Sequence, residues 1–161
     1  MPKPKAPKTF FMDAPNVEEI ASQLIEEHHR HLVNAKIKFL KRYGNWKAKG
    51  KTRLGSAEKV SEKHKYLTGY DFIIIINGIV FDSLRQQEKE ALVDHELCHC
   101  GVTDKDEFCI WPHDLEDFIA IVRRHGLWME ELKRFADVAI EASRQLTIFD
   151  YYPEERQVAV V

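Results

Sequence analysis

The sequence predicts an α+β domain, with a small sheet of about three strands placed between an N-terminal helix and three later ones. Three observations predict it. Apolar residues recur at helical spacing after Asn16. Four consecutive isoleucines, Ile73–Ile76, are closed by Asn77-Gly78, as expected of a buried strand that stops at a turn. Residues 86–99 contain neither Pro nor Gly and are rich in good helix formers. The strands are grouped rather than alternating with helices, which argues against a parallel α/β sheet. At 161 residues, 44% hydrophobic and 31% charged, the composition is that of one soluble globular domain rather than a disordered or membrane chain.

In chain order, residues 1–12 read as a flexible basic tail, with Pro2, Pro4 and Pro7 among lysines. That stretch is too polar for a signal peptide, and no run of about 18 apolar residues exists to span a membrane, so the cytoplasm is the expected location. The body of the domain is expected over residues 13–146 and a C-terminal tail over 147–161. Asn16 is placed to cap a helix running to about Asn34, with Val17, Ile20, Ala21, Leu24, Ile25, His28 and Leu32 on one stripe. His29 and His31 fall off that stripe.

Residues 36–43 alternate like a half-buried strand. Gly44 and Gly50 bracket a basic loop. A second strand is expected around Ala57–Lys65, and Tyr70–Ile76 as the central one, with Ile79-Val80-Phe81 as a short extended continuation. The helix over 86–99 comes next, then an irregular segment 101–112. A helix from Leu115 to His125 has Asp114 as its N-cap. The last helix, about Leu127–Arg144, carries a core stripe of Trp128, Leu132, Phe135, Ala139 and Ala142.

The chemistry lies in His95-Glu96-Leu97-Cys98-His99. An α-helix advances about 100° per residue, so His95 and His99 stand one turn apart on one face and can close on one Zn²⁺. Glu96 then sits beside the metal, where a carboxylate can take a proton from water. A catalytic zinc needs a third protein ligand and an open position. The downstream candidates are His113, Glu116, Asp117 and His125. His113 is favoured, because it stands between Pro112 and the expected cap Asp114. Asp114 and Glu116 could support an imidazole N–H, although acids in a first helical turn also complement the helix dipole.

Cys98, Cys100 and Cys109 are an odd number in a chain without a secretion signal, so free thiols are expected. A structural zinc site of Cys98, Cys100, Cys109 and His113 is disfavoured, since Cys-x-Cys on a helix points its sulfurs to nearly opposite faces.

The net charge of −2 selects no partner, but its distribution is uneven. From His28 to Ala57 there is no acid against nine cations, among them Lys36, Lys38, Lys41, Arg42 and Arg53. With Tyr43 and Trp46 among them, the segment Lys36–Arg53 suits single-stranded nucleic acid, through phosphate neutralisation and base stacking, as well as a plainly solvated loop.

The strand Tyr70-Asp71-Phe72-Ile73, the His95–His99 helix and the later stretch His113-Asp114-Leu115-Glu116-Asp117-Phe118 together resemble the SprT-like and minimal zincin metallopeptidases, and most closely the putative phage metallopeptidase family. The resemblance covers roughly residues 15–145. It implies a minimal zincin-like fold, a zinc peptidase activity with His95, His99 and His113 as ligands and Glu96 as base, and a protein or peptide substrate. SprT-like relatives include proteases of DNA-crosslinked proteins, which implies a DNA-associated role, although no Cys pair follows residue 109 to form their zinc ribbon. Gln145-Leu146-Thr147-Ile148-Phe149-Asp150-Tyr151-Tyr152 resembles the peptide by which replication proteins bind a sliding clamp. The rival reading is a non-catalytic adaptor of the same fold, binding DNA or a clamp.

Overall fold

In a computed structural model the chain forms two compact units, Met1–Pro112 and His113–Val161. The structure describes residues 3, 5 and 7–151, with side chains as far as Gln145.

The first unit opens with strand β1 (Phe10–Asp13), which begins inside the stretch 1–12 expected to be tail and pairs antiparallel with β2, Met12 facing Lys41. Helix α1 (Pro15–His28) starts at a proline, whose fixed φ and missing N–H suit a first turn. Ala14 is the cap; Asn16 instead accepts the Val17 N–H. Val17 and Ala21 are fully buried, with Ile20, Leu24 and Ile25 packed against the core. The helix ends at His28 because His29 has φ −127°. That break resets the helical phase from residue 29 onward. His28 is exposed and His29 is buried, the reverse of the expected stripe. A 3-10 turn, Arg30–Leu32, completes the segment.

Strand β2 (Ile37–Tyr43) forms as expected. Strands β3 (Lys47–Ala48) and β4 (Lys51–Thr52) make a hairpin from the basic loop. Its two turn residues, Lys49 and Gly50, both have positive φ, the geometry that matches a two-residue hairpin to strand twist. Strand β5 (Gly55–Lys59) stops well before Lys65. Ser61 accepts the His64 N–H and Gly69 adopts the left-handed conformation, so residues 62–68 become helix α2 (Glu62–Thr68). Strand β6 (Phe72–Asn77) is central, parallel to β2 and antiparallel to β5, in a sheet ordered β1-β2-β6-β5. The Asn77 side chain accepts the Val80 N–H. It thereby starts helix α3 (Gly78–Ser83) where an extended piece was expected.

Helix α4 (Gln86–His99) is next, with Glu88 accepting the Arg85 N–H at its start. The segment expected to be irregular is a hairpin of β7 (Cys100–Val102) and β8 (Phe108–Ile110). The core lies where Phe72, Ile74 and Ile76 of β6 meet Val93 and Leu97 of α4 and Val17 of α1. The cysteines are thiols, Cys98 exposed on α4 and Cys100 buried at the start of β7.

In the second unit, α5 (Ile119–His125) starts four residues later than expected and Asp114 does not cap it. Asp117 accepts the Phe118 N–H at 2.7 Å and the Trp128 indole N–H at 3.1 Å. Helix α6 (Glu130–Tyr151) is longer than expected. Of its expected core stripe only Leu132 is buried, while Trp128 and Phe135 are more than half exposed. The backbone of residues 145–151 continues α6, but the side chains of the clamp-like peptide beyond Gln145 lie outside the described residues.

Candidate metal centre

Helix α4 divides its residues by the 3.6-residue period. Leu92, Val93, Glu96 and Leu97 are buried, whereas His95 is exposed and His99 half-buried. The two imidazoles stack edge to face with centroids 5.2 Å apart, as i, i+4 spacing requires. Their accessibility comes from the same helical phase that buries the leucines.

Glu96 is the anomaly, a carboxylic acid only 4% exposed. It lies against the first residue of β5: a Cβ built on Gly55 would be 2.6 Å from Glu96 Oε1. Gly55 therefore gives the carboxylate its room. Burial pushes the Glu96 pKa up, and electrostatic interaction with His99 and Arg53 offsets part of that rise. Arg53 is itself held, its Nε donating to the Gly55 carbonyl at 3.1 Å and its own carbonyl accepting from Asn77 Nδ2 at 2.9 Å. Gly55, Arg53 and Asn77 carry no motif, and sequence reasoning missed them.

His99 is oriented by Trp111. The Trp111 carbonyl lies 2.7 Å from His99 Nδ1, and the Trp111 N–H donates to the His99 carbonyl at 2.8 Å. A carbonyl can only accept, so His99 carries its proton on Nδ1 and leaves Nε2 as the lone-pair nitrogen. This arrangement is typical of metal-ligating histidines. The Trp111 indole lies directly on Gly101 and packs tilted on His31 at 5.4 Å. Only Pro112 separates this anchored residue from His113. One ligand atom from each of His95, His99 and His113 lies within 4.8 Å of the others, and the three could hold a metal ion. Glu116, Asp117 and His125 are not part of that group. The helix mouth expected behind His113 is not there, since α5 starts only at Ile119.

The basic segment behaves differently. Lys41 is buried and bonds Asp82 at 2.9 Å. Tyr43 donates to Asp82 at 2.8 Å and stacks on Phe10 at 5.1 Å. Arg42 and Arg53 both lie over the Trp46 ring, at 4.7 and 5.7 Å. The two aromatics are therefore engaged internally, and the exposed cations of the segment are Lys36, then Lys47, Lys49 and Lys51 of the hairpin, with Arg53.

No described helix is long and apolar enough to cross a membrane. No curated protein and no solved structure matches the chain. A family model described as "Putative phage metallopeptidase" matches residues 9–139, a span that takes in the whole sheet, α4 and His113, and the chain belongs to that family.

Proposed function

We propose that the protein is a zinc metallopeptidase with a minimal zincin-like fold, His95, His99 and His113 being the ligands and Glu96 the general base. The observation that carries this reading is a buried carboxylate on the helix between two accessible histidines, of which His99 is oriented by a backbone carbonyl. Three neutral imidazoles suit zinc in a hydrolytic site. A zinc ion held there supplies Lewis acidity, which in such sites lowers the pKa of water to about 7.

The residues of the chain supply the rest. His99 is kept in one tautomer by the Trp111 carbonyl, so it binds without reorganising. Glu96, partly desolvated, is a stronger base than a solvated carboxylate. It accepts a proton from water as the water oxygen bonds to the scissile carbonyl carbon. It then returns that proton to the amine nitrogen as the C–N bond breaks. Among the described residues no strand pairs with the outer edge of β5, which begins beside this carboxylate and can take an extended peptide by strand addition.

The test is Glu96→Gln, which keeps the metal and lowers peptide hydrolysis by about 10²–10⁴-fold, the usual worth of a general base; His99→Ala loses the metal. A Glu96→Gln protein as active as wild type would refute the assignment. A wild-type protein that holds zinc yet cleaves no peptide would be the non-catalytic adaptor instead.

We further propose that the substrates are DNA-associated proteins, met through the segment Lys36–Arg53. The four exposed cations of the β3–β4 region support phosphate contact. Binding should weaken steeply with added salt. Docking of Gln145–Tyr152 on a sliding clamp is the remaining partner proposal, and a deletion of those residues that leaves clamp binding intact would remove it.

A further inference from the structure

We propose a second metal site, built from His29, Asp94 and Cys98, that takes a zinc-class divalent ion and ties α1 to α4. One ligand atom of each residue lies within 4.8 Å of the others. Asp94 and Cys98 repeat the i, i+4 arrangement of His95 and His99 one residue earlier on the same helix, about 100° around its axis. α4 thus carries two adjacent ligand pairs on neighbouring stripes.

His29 comes from the end of α1 and is aimed at this pair. It is 6% exposed, and its Nε2 lies 2.6 Å from Asp94 Oδ1. Its backbone is held as well, its N–H donating to the Ile25 carbonyl at 3.1 Å. Two residues on, His31 Nε2 lies 2.9 Å from the Cys100 carbonyl, fixing the same turn to the end of α4. The imidazole is therefore positioned before any ion arrives.

The donor set selects the ion. Thiolate, imidazole and one carboxylate suit zinc or cobalt, whereas magnesium and calcium require oxygen ligands. Charge separates this site from the three-histidine group. A carboxylate and a thiolate neutralise a divalent ion, while three neutral imidazoles leave its full charge for Lewis-acid chemistry. The neutral site is suited to holding structure. On binding, the thiol proton and the proton shared by His29 and Asp94 pass to solvent. A hydrogen bond between His29 and Asp94 alone would also join the helices, but it gives Cys98 no part. Cys98 is therefore the residue that decides between the two.

The experiment titrates Co²⁺ into the metal-free full-length protein and reads the near-ultraviolet thiolate-to-cobalt charge-transfer band together with metal equivalents bound. Only a cysteine ligand gives that band, so the outcome does not depend on the peptidase reading. Wild type should show the band. His95→Ala/His99→Ala should keep it while losing one equivalent, and Cys98→Ser should lose the band and one equivalent. His29→Asn should weaken Co²⁺ binding at least about tenfold at the band-forming site, the usual cost of a lost ligand or its support. Where the double variant does not fold, His113→Ala serves for it, and Cys98→Ala serves for Cys98→Ser. Absence of the band in wild type overturns the proposal, as does its persistence in the Cys98 variant or its loss with the other histidines.

Discussion

Helix α4 and the segment from β2 to β4 are both dense in functional side chains, and they dispose of them in opposite ways. On α4, His95 stays exposed and His99 is turned by a backbone carbonyl into one tautomer. Between β2 and β4, Lys41 and Tyr43 converge on Asp82, and Trp46 is covered by Arg42 and Arg53. A pattern defined by backbone period keeps its meaning after folding, because the helix itself fixes the spacing. A pattern defined by composition does not, because each strand sends alternate side chains to opposite faces.

Four substitutions would sharpen or break this contrast. The largest effect is expected at Leu97, fully buried between the two ligand positions. Leu97→Ala should cost about 2–5 kcal/mol in denaturant unfolding, the usual range for a truncated core leucine. A loss below about 1 kcal/mol would mean that α4 is not held by its buried face. Next is Gly55→Ala, whose Cβ must displace the Glu96 carboxylate. It should lower peptide hydrolysis by about 10²-fold, as small misplacements of a catalytic group do, with metal content unchanged. Full activity would show that Glu96 has slack at β5.

A smaller effect is expected from Asp82→Asn, which removes the acceptor of Lys41 and Tyr43. Asp82 is half exposed, so solvent screening limits the loss to about 1 kcal/mol. The hydrogen bond from Lys41 lowers the Asp82 pKa, against burial, with Tyr43 assisting. Asp71 is lowered too: burial raises it, but the Lys36 N–H and the Lys65 ammonium outweigh that. Both carboxylates therefore contribute stability that is present above their unfolded pKa, about 3.9, and lost as pH falls through the folded values. Asp82→Asn should accordingly flatten the fall in stability below about pH 4, measured by thermal unfolding across pH. The smallest effect is expected from Trp46→Ala on single-stranded DNA binding, under about 1 kcal/mol, less than a stacked base normally contributes, because guanidinium groups already cover the ring. A larger loss would restore base stacking to the basic segment.

The sequence was most informative where chain period or a cap decides conformation. Helix α4 and strands β2 and β6 lie where their patterns placed them. Residues 62–65 fall within the stretch expected to be strand, although Ser61 and Gly69 bracket a helix there. The α3 start at Asn77 was missed for the same reason: a local cap outweighed β-branched propensity. His29 is buried although it lay off the expected stripe, because the helix ends at His28 and the chain turns there.

By itself, then, the sequence determined the α+β class, the His95–Glu96–His99 helix and His113 as a candidate partner, since these rest on spacing along one chain. The tertiary structure alone decided that Glu96 is buried against Gly55, that Trp111 orients His99, and that His29 meets Asp94 and Cys98. Those relations join residues 12 to 69 positions apart in the chain. No local period links such residues, and only the packing of α1, β5 and the β7–β8 hairpin around α4 brings them together.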